Sequence, residues 1–258
     1  MERNERNLYI SSIHFIQRES SGKNFPDVHP FYKDSFSFLY DLEEFRTAEK
    51  RETDWMMEAL KNTMTDAKPE YPPKYFFDVR TTEDFSCPAP EYYLLKQLHI
   101  ERISPLSVKG MGGLSLIQAF LIAEQYVQIQ EPALFCVAQC YHCYDNTTNH
   151  EQTAVSFLVS KESGDFFLES AGLCQTYDEV IKMVQENSFH MIYTDIELTC
   201  SHILTKTTSF LTQPLIFLTS SSVQNGRIAC ISEYQGCYGY YIIRKDRETN
   251  EKHRTIKD

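Results

Sequence analysis

The feature that most constrains this chain lies in residues 107–127, where a short β-type run, a glycine-rich turn and a long apolar helical segment follow one another. The turn consists of Gly110, Met111, Gly112 and Gly113. A sharp strand-to-helix turn of this kind suits a nucleophile, because the backbone N–H groups and the dipole at the start of a helix stabilise negative charge. None of these four residues is a nucleophile. The segment therefore predicts an enzyme-like framework that lacks the chemistry at its bend.

Length, charge and composition narrow the class of protein. The chain has 258 residues, of which 42% are hydrophobic and 24% charged, as is typical of a globular protein with a substantial core. Its net charge of −11 argues against a nucleic-acid partner, because phosphate recognition needs a basic surface. Because the N-terminus is polar, we expect no secretion signal. Because no apolar run approaches about 18 residues, we expect no membrane span. Because its eight cysteines are expected to be reduced, the sequence predicts a cytoplasmic protein.

Strand-like and helical runs alternate along the chain, which indicates an α/β layered fold. Strands are predicted at residues 8–17, 75–79, 102–108, 132–138, 153–160, 165–170, 189–194, 227–232 and 238–244. Helices are predicted within 38–64, at 91–98, from 113 to about 130, at 177–186 and within 208–223. The elements after residue 170 repeat the earlier order more briefly, so we expect a pseudo-duplicated fold with a shortened second half. The halves are placed at 8–170 and 171–244, followed by a disordered polar tail at 245–258.

Ordered blocks of sequence carry a resemblance to a known family. Residues 81–98 resemble a loop and helix that precede a nucleophile strand, and residues 110–114 resemble a Cys-x-Gly-Gly/Ser turn. Residues 133–138 look like the strand after the helix of that turn, and residues 213–244 look like the closing segment with its glycine-rich turn. In this order the chain resembles the thiolase superfamily, specifically the ketoacyl-ACP synthase III type of condensing enzyme, over most of 8–244. The resemblance implies a thiolase-like fold with α-β-α-β-α layers.

The resemblance also implies where catalytic groups would lie. Condensing enzymes of this type use a Cys nucleophile, with His and Asn (or a second His) stabilising the oxyanion. The nucleophile position falls on Gly110, the His position near Asp195 and the Asn position near Thr207. His190 and His202 are close enough in sequence for either to be a retained histidine. Because no thiol occupies Gly110, the resemblance implies degenerate catalytic positions and no cofactor.

Partner contacts follow from the same resemblance, because the family dimerises through the strand that leads into the turn, here residues 102–108. Phe85 and Cys87, on the preceding loop, would reach toward the partner's pocket. The residues expected to line the pocket on this chain's side are Met111, Gly112, Gly113 and Cys237. The resemblance implies a pseudoenzyme that joins a catalytically intact ketosynthase-like partner in a heterodimer or heterotetramer and shapes its acyl tunnel. Chain-length-factor subunits and the inactive subunits of alkylquinolone-type enzymes are similar; the setting would be fatty-acid-like or natural-product biosynthesis, with indirect contact to acyl carrier protein.

Two alternatives stay open. Cys136, Cys140 and Cys143 have a C-x3-C-x2-C spacing that can hold a [4Fe–4S] cluster, as in radical S-adenosylmethionine enzymes. Against this, Cys136 lies inside an apolar strand, and the roughly 115 residues that follow are too few for the usual barrel. Zinc at Cys140, His142 and Cys143 lacks a further ligand pair. The second alternative is an acyltransferase or condensing enzyme with a displaced nucleophile, for which Cys237 is the candidate.

Overall fold

A computed structural model describes residues 7–19, 23–24, 46–47, 52–80, 90–139, 143–144, 151–198, 204–206, 211–220 and 226–245. Its strands are β1 (Leu8–Glu19), β2 (Lys23–Asn24), β3 (Arg46–Thr47), β4 (Tyr75–Arg80), β5 (Ser104–Lys109), β6 (Ala133–Gln139), β7 (Cys143–Tyr144), β8 (Glu151–Ser160), β9 (Phe166–Cys174), β10 (Met191–Thr194), β11 (Leu204–Lys206), β12 (Arg227–Tyr234) and β13 (Cys237–Lys245). Its helices are α1 (Glu52–Ala67), α2 (Pro90–Gln97), α3 (Leu114–Tyr126), α4 (Tyr177–Glu186) and α5 (Gln213–Leu218).

Ten strands form one hydrogen-bonded series in the order β11-β10-β12-β13-β9-β1-β8-β6-β4-β5. The series consists of two sets with the same topology. In the first set, β8 lies antiparallel to both β1 and β6, and β4 lies parallel to both β6 and β5. In the second set, β13 lies antiparallel to both β9 and β12, and β10 lies parallel to both β12 and β11. The repeated topology confirms the pseudo-duplication that the order of elements predicted.

The two sets meet where the start of β1 pairs with the start of β9. Residues 8–10 are antiparallel to residues 166–168 at this seam. Gly164, just before β9, lies against the backbone of Ile10, and a Cβ atom on it would come within 2.7 Å of the Ile10 carbonyl oxygen. Only glycine fits there without moving backbone. The strand order begins the second set at Phe166, so the predicted boundary between residues 170 and 171 falls inside β9.

Helices cover both sets of strands in layers. In each set, we call the face that contacts α3 and α5 the inner face and the opposite face the outer face. Residues of α3 and α5 share one hydrophobic cluster with inner-face residues of both sets. A second cluster joins α1 and α2 to the outer face of the first set, and a third joins α4 to the outer face of the second. The result is the α-β-α-β-α layering that was predicted.

Aromatic side chains link the middle layer to both sets. The ring of Phe120, on α3, lies 5.6 Å from the ring of Phe135 and 6.2 Å from that of Phe157, which belong to the first set. It also lies 5.3 Å from the ring of Tyr241, on β13 of the second set. All four residues are buried. Because aromatic contacts contribute beyond the area they bury, Phe120 ties the two sets together through α3.

Several boundaries differ from the sequence predictions. The helix predicted to run to about residue 130 ends at Tyr126, since Val127 is extended and Gln130 has a positive φ of 64° in the turn that follows. The helix predicted within 208–223 covers only Gln213–Leu218. The strands β2, β3, β7 and β11 were not predicted, and β3 lies where a helical period was expected.

Lys245, predicted to begin the disordered tail, is the last residue of β13, and residues 246–258 lie outside the described part of the chain. Within the described residues, no helix has both the length and the apolar character needed to cross a membrane.

Candidate functional site

The glycine-rich turn at the end of β5 has the geometry of a strand-to-helix elbow. Gly110 has a φ of +77° and Gly112 a φ of +53°, backbone conformations that L-residues rarely adopt. The N–H of Leu114 donates to the Met111 carbonyl at 3.0 Å, and the N–H of Met111 donates to Ser115 Oγ at 3.2 Å. Glycine therefore lets the chain reverse sharply, and Ser115 closes the turn from within the first turn of α3.

Gly110 stands at the position that the resemblance assigns to a nucleophile. The residue is exposed, and a Cβ atom built on it would meet no heavy atom within 4 Å among the described residues. None of the described residues therefore fills the place where a reactive side chain would project. Its backbone conformation also disfavours every residue that carries a Cβ, so the local geometry favours glycine here.

The second set of strands packs directly on this turn. A Cβ atom on Gly112 would lie 3.6 Å from Cδ2 of Tyr234, at the end of β12. On β13, a Cβ atom on Gly239 would lie 2.9 Å from Cδ2 of Leu114 at the start of α3. Cys237 pairs with Tyr234 across the hairpin and is exposed, with a free thiol. The predicted pocket residues of the turn and Cys237 therefore belong to one end of the molecule.

Asp195 directly follows β10 and is partly buried. Ser232 Oγ donates a short hydrogen bond to Asp195 Oδ2, and the N–H of Glu233 donates to Asp195 Oδ1 at 3.2 Å. Burial raises the pKa of the Asp195 carboxyl, and the hydrogen bonds from Ser232 and Glu233 oppose that rise. Where the resemblance places a histidine, the chain has a carboxyl group that is anchored to β12.

Three side chains on neighbouring strands of the second set form a buried group that sequence reasoning missed. Tyr193, Cys230 and Tyr241 lie side by side in register on β10, β12 and β13, on the inner face. Burial raises the pKa of Tyr193 to about 12 and raises those of Cys230 and Tyr241. All three are therefore neutral near neutral pH, so they form an uncharged layer beneath the central helices.

A charged cluster occupies the outer face of the first set. Arg80 Nε donates to Asp78 Oδ1 at 2.7 Å, and both side chains are completely buried. Lys109 Nζ lies 3.5 Å from Asp78 Oδ2 and 3.6 Å from Glu91 Oε2. Lys109 is thus held against α2 on the outer face. The signal available in the sequence was the pair of opposite charges two residues apart inside an apolar strand.

The remaining predicted residues fall in three groups. Phe85, Cys87, Thr207, His202 and Cys140 lie outside the described residues, and Cys143 is described only as backbone in β7. His190 lies at the start of β10, whereas Asp195 follows its end, so the structure does not bring His190 to the turn.

Cys136 is fully buried in the middle of β6, and its Sγ lies 3.9 Å from the Met56 carbonyl oxygen. No cluster of three or more His, Cys, Asp or Glu side chains suited to a metal ion occurs among the residues that the structure describes. The described part of the chain therefore offers no ligand set that would join Cys136 to a cluster.

Comparison with known proteins supports the fold. No family model and no curated protein sequence matches this chain. The acyltransferase ChlB3 superposes with a TM-score of 0.64 at 10% identity, over 93% of this chain and 98% of that one. A variant of OleA from Xanthomonas campestris superposes with a TM-score of 0.61 at 10% identity, over 93% of this chain and 98% of that one. The 3-oxoacyl-[acyl-carrier-protein] synthase III from Aquifex aeolicus VF5 superposes with a TM-score of 0.57 at 12% identity, over 92% of this chain and 99% of that one.

At these identities the likeness concerns the fold. The chain has the thiolase-like fold, and the predicted fold class is confirmed. The structural neighbours named above and the tetronic acid condensing enzyme AbyA1 are condensing or acyl-transferring enzymes.

Proposed function

We propose that this chain is a non-catalytic ketosynthase-like subunit that pairs with a catalytically intact condensing enzyme in fatty-acid-like or natural-product biosynthesis. The observation that carries the proposal is Gly110, a glycine at a φ of +77° where the resemblance places a nucleophile, with no described heavy atom within 4 Å of the point where a Cβ would project. Transfer through a covalent acyl intermediate needs a nucleophilic side chain at that point. The turn keeps the shape of the elbow and lacks that side chain.

Asp195 supports the same conclusion from the second half. An oxyanion is stabilised by hydrogen-bond donors and positive charge aimed at it. Once ionised, Asp195 has only acceptor oxygens, and one of them is already bonded to Ser232 and the other to the backbone of Glu233. A carboxylate in that place would repel a developing negative charge.

The pairing surface in this proposal is β5, which lies at one end of the ten-strand series. A partner strand added there would extend the sheet across the dimer. The loop that carries Phe85 and Cys87 would approach the partner's pocket, and acyl carrier protein would dock on the partner. Heterodimer or heterotetramer assembly and a cytoplasmic location are parts of this proposal.

The proposal is tested by intact-mass spectrometry of the purified chain after incubation with acetyl-CoA and octanoyl-CoA. We expect no stable acyl adduct. In parallel, co-expression with the proteins encoded beside it, followed by size-exclusion chromatography and product analysis, should recover a condensing enzyme with an intact Cys-His-Asn set. A stable adduct, or a chain that acts without a partner, would overturn the proposal.

A second candidate is a condensing enzyme or acyltransferase whose nucleophile is Cys237. One observation favours it: Cys237 is exposed and pairs with Tyr234, whose ring packs beside Gly112. The matched variant is Cys237→Ser. An adduct that forms on the wild-type chain and is lost in this variant would establish the second candidate in place of the first.

A further inference from the structure

Backbone geometry shows which groups β5 offers at its outer edge. The N–H of Ser104 donates to the Lys74 carbonyl at 2.8 Å, so Ser104 faces β4. Successive residues of a strand direct their N–H and C=O groups to opposite sides, and β5 runs parallel to β4 in unbroken register. Leu106 and Val108 therefore also bond to β4. Pro105, Ser107 and Lys109 direct their backbone groups away from the sheet.

Among the strands that the structure describes, β5 pairs only with β4, so this edge is open to a further strand. A lysine on an edge strand usually blocks such pairing by holding its charge over the edge. Here Lys109 does not do so, because its ammonium group lies near Asp78 and Glu91 on the outer face and its side chain is only 17% exposed. Among the described residues of β5, none therefore holds a charge over the free edge.

Proline limits how well this edge can pair with a second copy of the chain. Pro105 has no N–H to donate. In antiparallel self-pairing about a two-fold axis at Ser107, the two Ser107 residues exchange two hydrogen bonds. Each Lys109 N–H also donates to the Pro105 carbonyl of the other copy, so four hydrogen bonds join the two copies. If the two-fold axis lies at Val108 instead, Ser107 of each copy lies opposite Lys109 of the other copy, and four hydrogen bonds again form.

A strand without proline pairs better with the same edge. It supplies an amide N–H to the Lys109 carbonyl, so only the missing Pro105 donor is lost and five hydrogen bonds form. One net hydrogen bond is worth about 1 kcal/mol, which is about a fivefold difference in the dissociation constant.

We infer that the free edge of β5 selects against self-pairing and for an antiparallel strand from a different chain, one with an amide N–H opposite the Lys109 carbonyl. On the inner face, that strand would place an apolar side chain beside Leu106, which is partly buried. Tyr92 and Tyr93, on α2, which packs against β5, are 61% and 42% exposed, and tyrosine is a residue typical of interfaces. This inference rests on the pairing through β5 that the proposed function assumes.

The test uses the chain itself as the partner. Pro105→Ala restores the missing N–H, so a proline-free copy presents the amide that the inference requires. Dissociation constants are measured by sedimentation velocity for wild type alone, for Pro105→Ala alone, and for a mixture in which one species carries a fluorescent label. We expect dimerisation to tighten about fivefold from wild type to the mixed dimer, and about fivefold again to the Pro105→Ala dimer.

Ser107→Pro is the matched control, because it removes an outward N–H and leaves the hydrogen bonds to β4 intact. When Ser107→Pro is combined with Pro105→Ala, dimerisation should weaken again to about the wild-type dissociation constant. Thermal unfolding of each variant checks that it is folded. Equal constants for wild type and Pro105→Ala, or a wild-type dimer that Ser107→Pro does not weaken, would overturn the inference. The acylation and co-expression experiments judge the proposed function separately, since they do not depend on the fate of Pro105.

Discussion

The two halves of this protein share one topology and differ in chemistry at the same point. Counted along β4 and β10 from their first residues, the fifth positions are Val79 in the first half and Asp195, just past the strand end, in the second. Val79 lies opposite Val137 and both are fully buried, whereas Asp195 binds Ser232. The comparison teaches that a duplicated framework sets where a side chain lies, and that single positions decide whether that place is polar.

The central helices differ in a second way. α3 has 13 residues, seven of them buried, whereas α5 has six, three of them buried. Each helix nevertheless begins against the other half. Gly112, before α3, lies near Tyr234 at the end of β12, and the N–H of Leu211, before α5, donates to Gln139 Oε1 at the end of β6 at 3.2 Å. Because each half completes the other's central layer, we expect the described core to unfold as one unit.

Gly164→Ala should give the largest effect, because it attacks the seam between the halves. Its Cβ would lie 2.7 Å from the Ile10 carbonyl oxygen, and backbone cannot swing aside as a side chain can. We expect a loss of about 3 kcal/mol in the free energy of unfolding, measured by urea denaturation. In the wild type, the urea unfolding transition reported by fluorescence of Trp55, in the first half, should coincide with the transition reported by far-UV circular dichroism. Gly236→Ala is the control, because a Cβ atom there would meet no described heavy atom within 4 Å, so its φ of +81° alone should cost about 1 kcal/mol. A loss no larger than that of the control would contradict a tight seam.

Gly239→Ala tests how closely the second half packs on α3. The added methyl group would meet Leu114 at 2.9 Å and Ile117 at 3.1 Å, both at the ends of flexible side chains. We therefore expect a smaller loss, about 1–2 kcal/mol by urea denaturation. The double variant with Leu114→Ala should lose less than the sum of the two single losses, since truncation of Leu114 relieves the contact. Strict additivity would mean that the two residues do not touch.

Gly110→Cys asks whether the first half can regain chemistry through one substitution. The open space around Gly110 accepts the side chain, but a φ of +77° costs an L-residue about 1 kcal/mol. We expect that loss of stability for both Gly110→Cys and Gly110→Ala, and no acyl adduct on the cysteine variant by intact-mass spectrometry. Acylation of the cysteine variant with acetyl-CoA would show that the elbow retains its function and lacks only the thiol.

Asp195→Asn should give the smallest effect, and the difference in stability from wild type should depend on pH. Burial raises the pKa of Asp195 in the folded state, so the folded state holds this proton more tightly than the unfolded state. The stability that this group contributes is full below its unfolded pKa of about 4 and is lost as pH rises through the folded value. Relative to wild type, the Asn variant should therefore gain stability from pH 4 to neutral pH, as urea denaturation at several pH values would show. A gap between the two proteins that is constant with pH would mean that the carboxyl does not titrate differently on folding.

Much of the fold was readable from local signals. The helix predicted at 177–186 from the spacing of Val180, Ile181 and Val184 matches α4 residue for residue. The structure shows that Thr176 caps its start, where Oγ1 accepts the N–H of Glu179 at 3.3 Å. The strand at 75–79 and the turn at Gly110 were likewise predicted, since an apolar run bounded by turn residues and a cluster of glycines need no distant partner to be recognised. β11 escaped prediction because three residues form a strand only beside β10.

Sequence patterns alone were enough for the order of the helices and the longer strands, the lack of a nucleophile at the turn and, through the ordered blocks, the fold class. Which strands are neighbours depends on the tertiary structure, and so do the partners of polar groups that lie on different strands. Asp78 meets Lys109 on the outer face only because β4 lies beside β5, and Asp195 meets Ser232 near the inner face only because β10 lies beside β12. The physical reason is that helix caps and turns are closed by residues near in sequence, whereas burial and charge pairing depend on contacts between segments far apart in the chain.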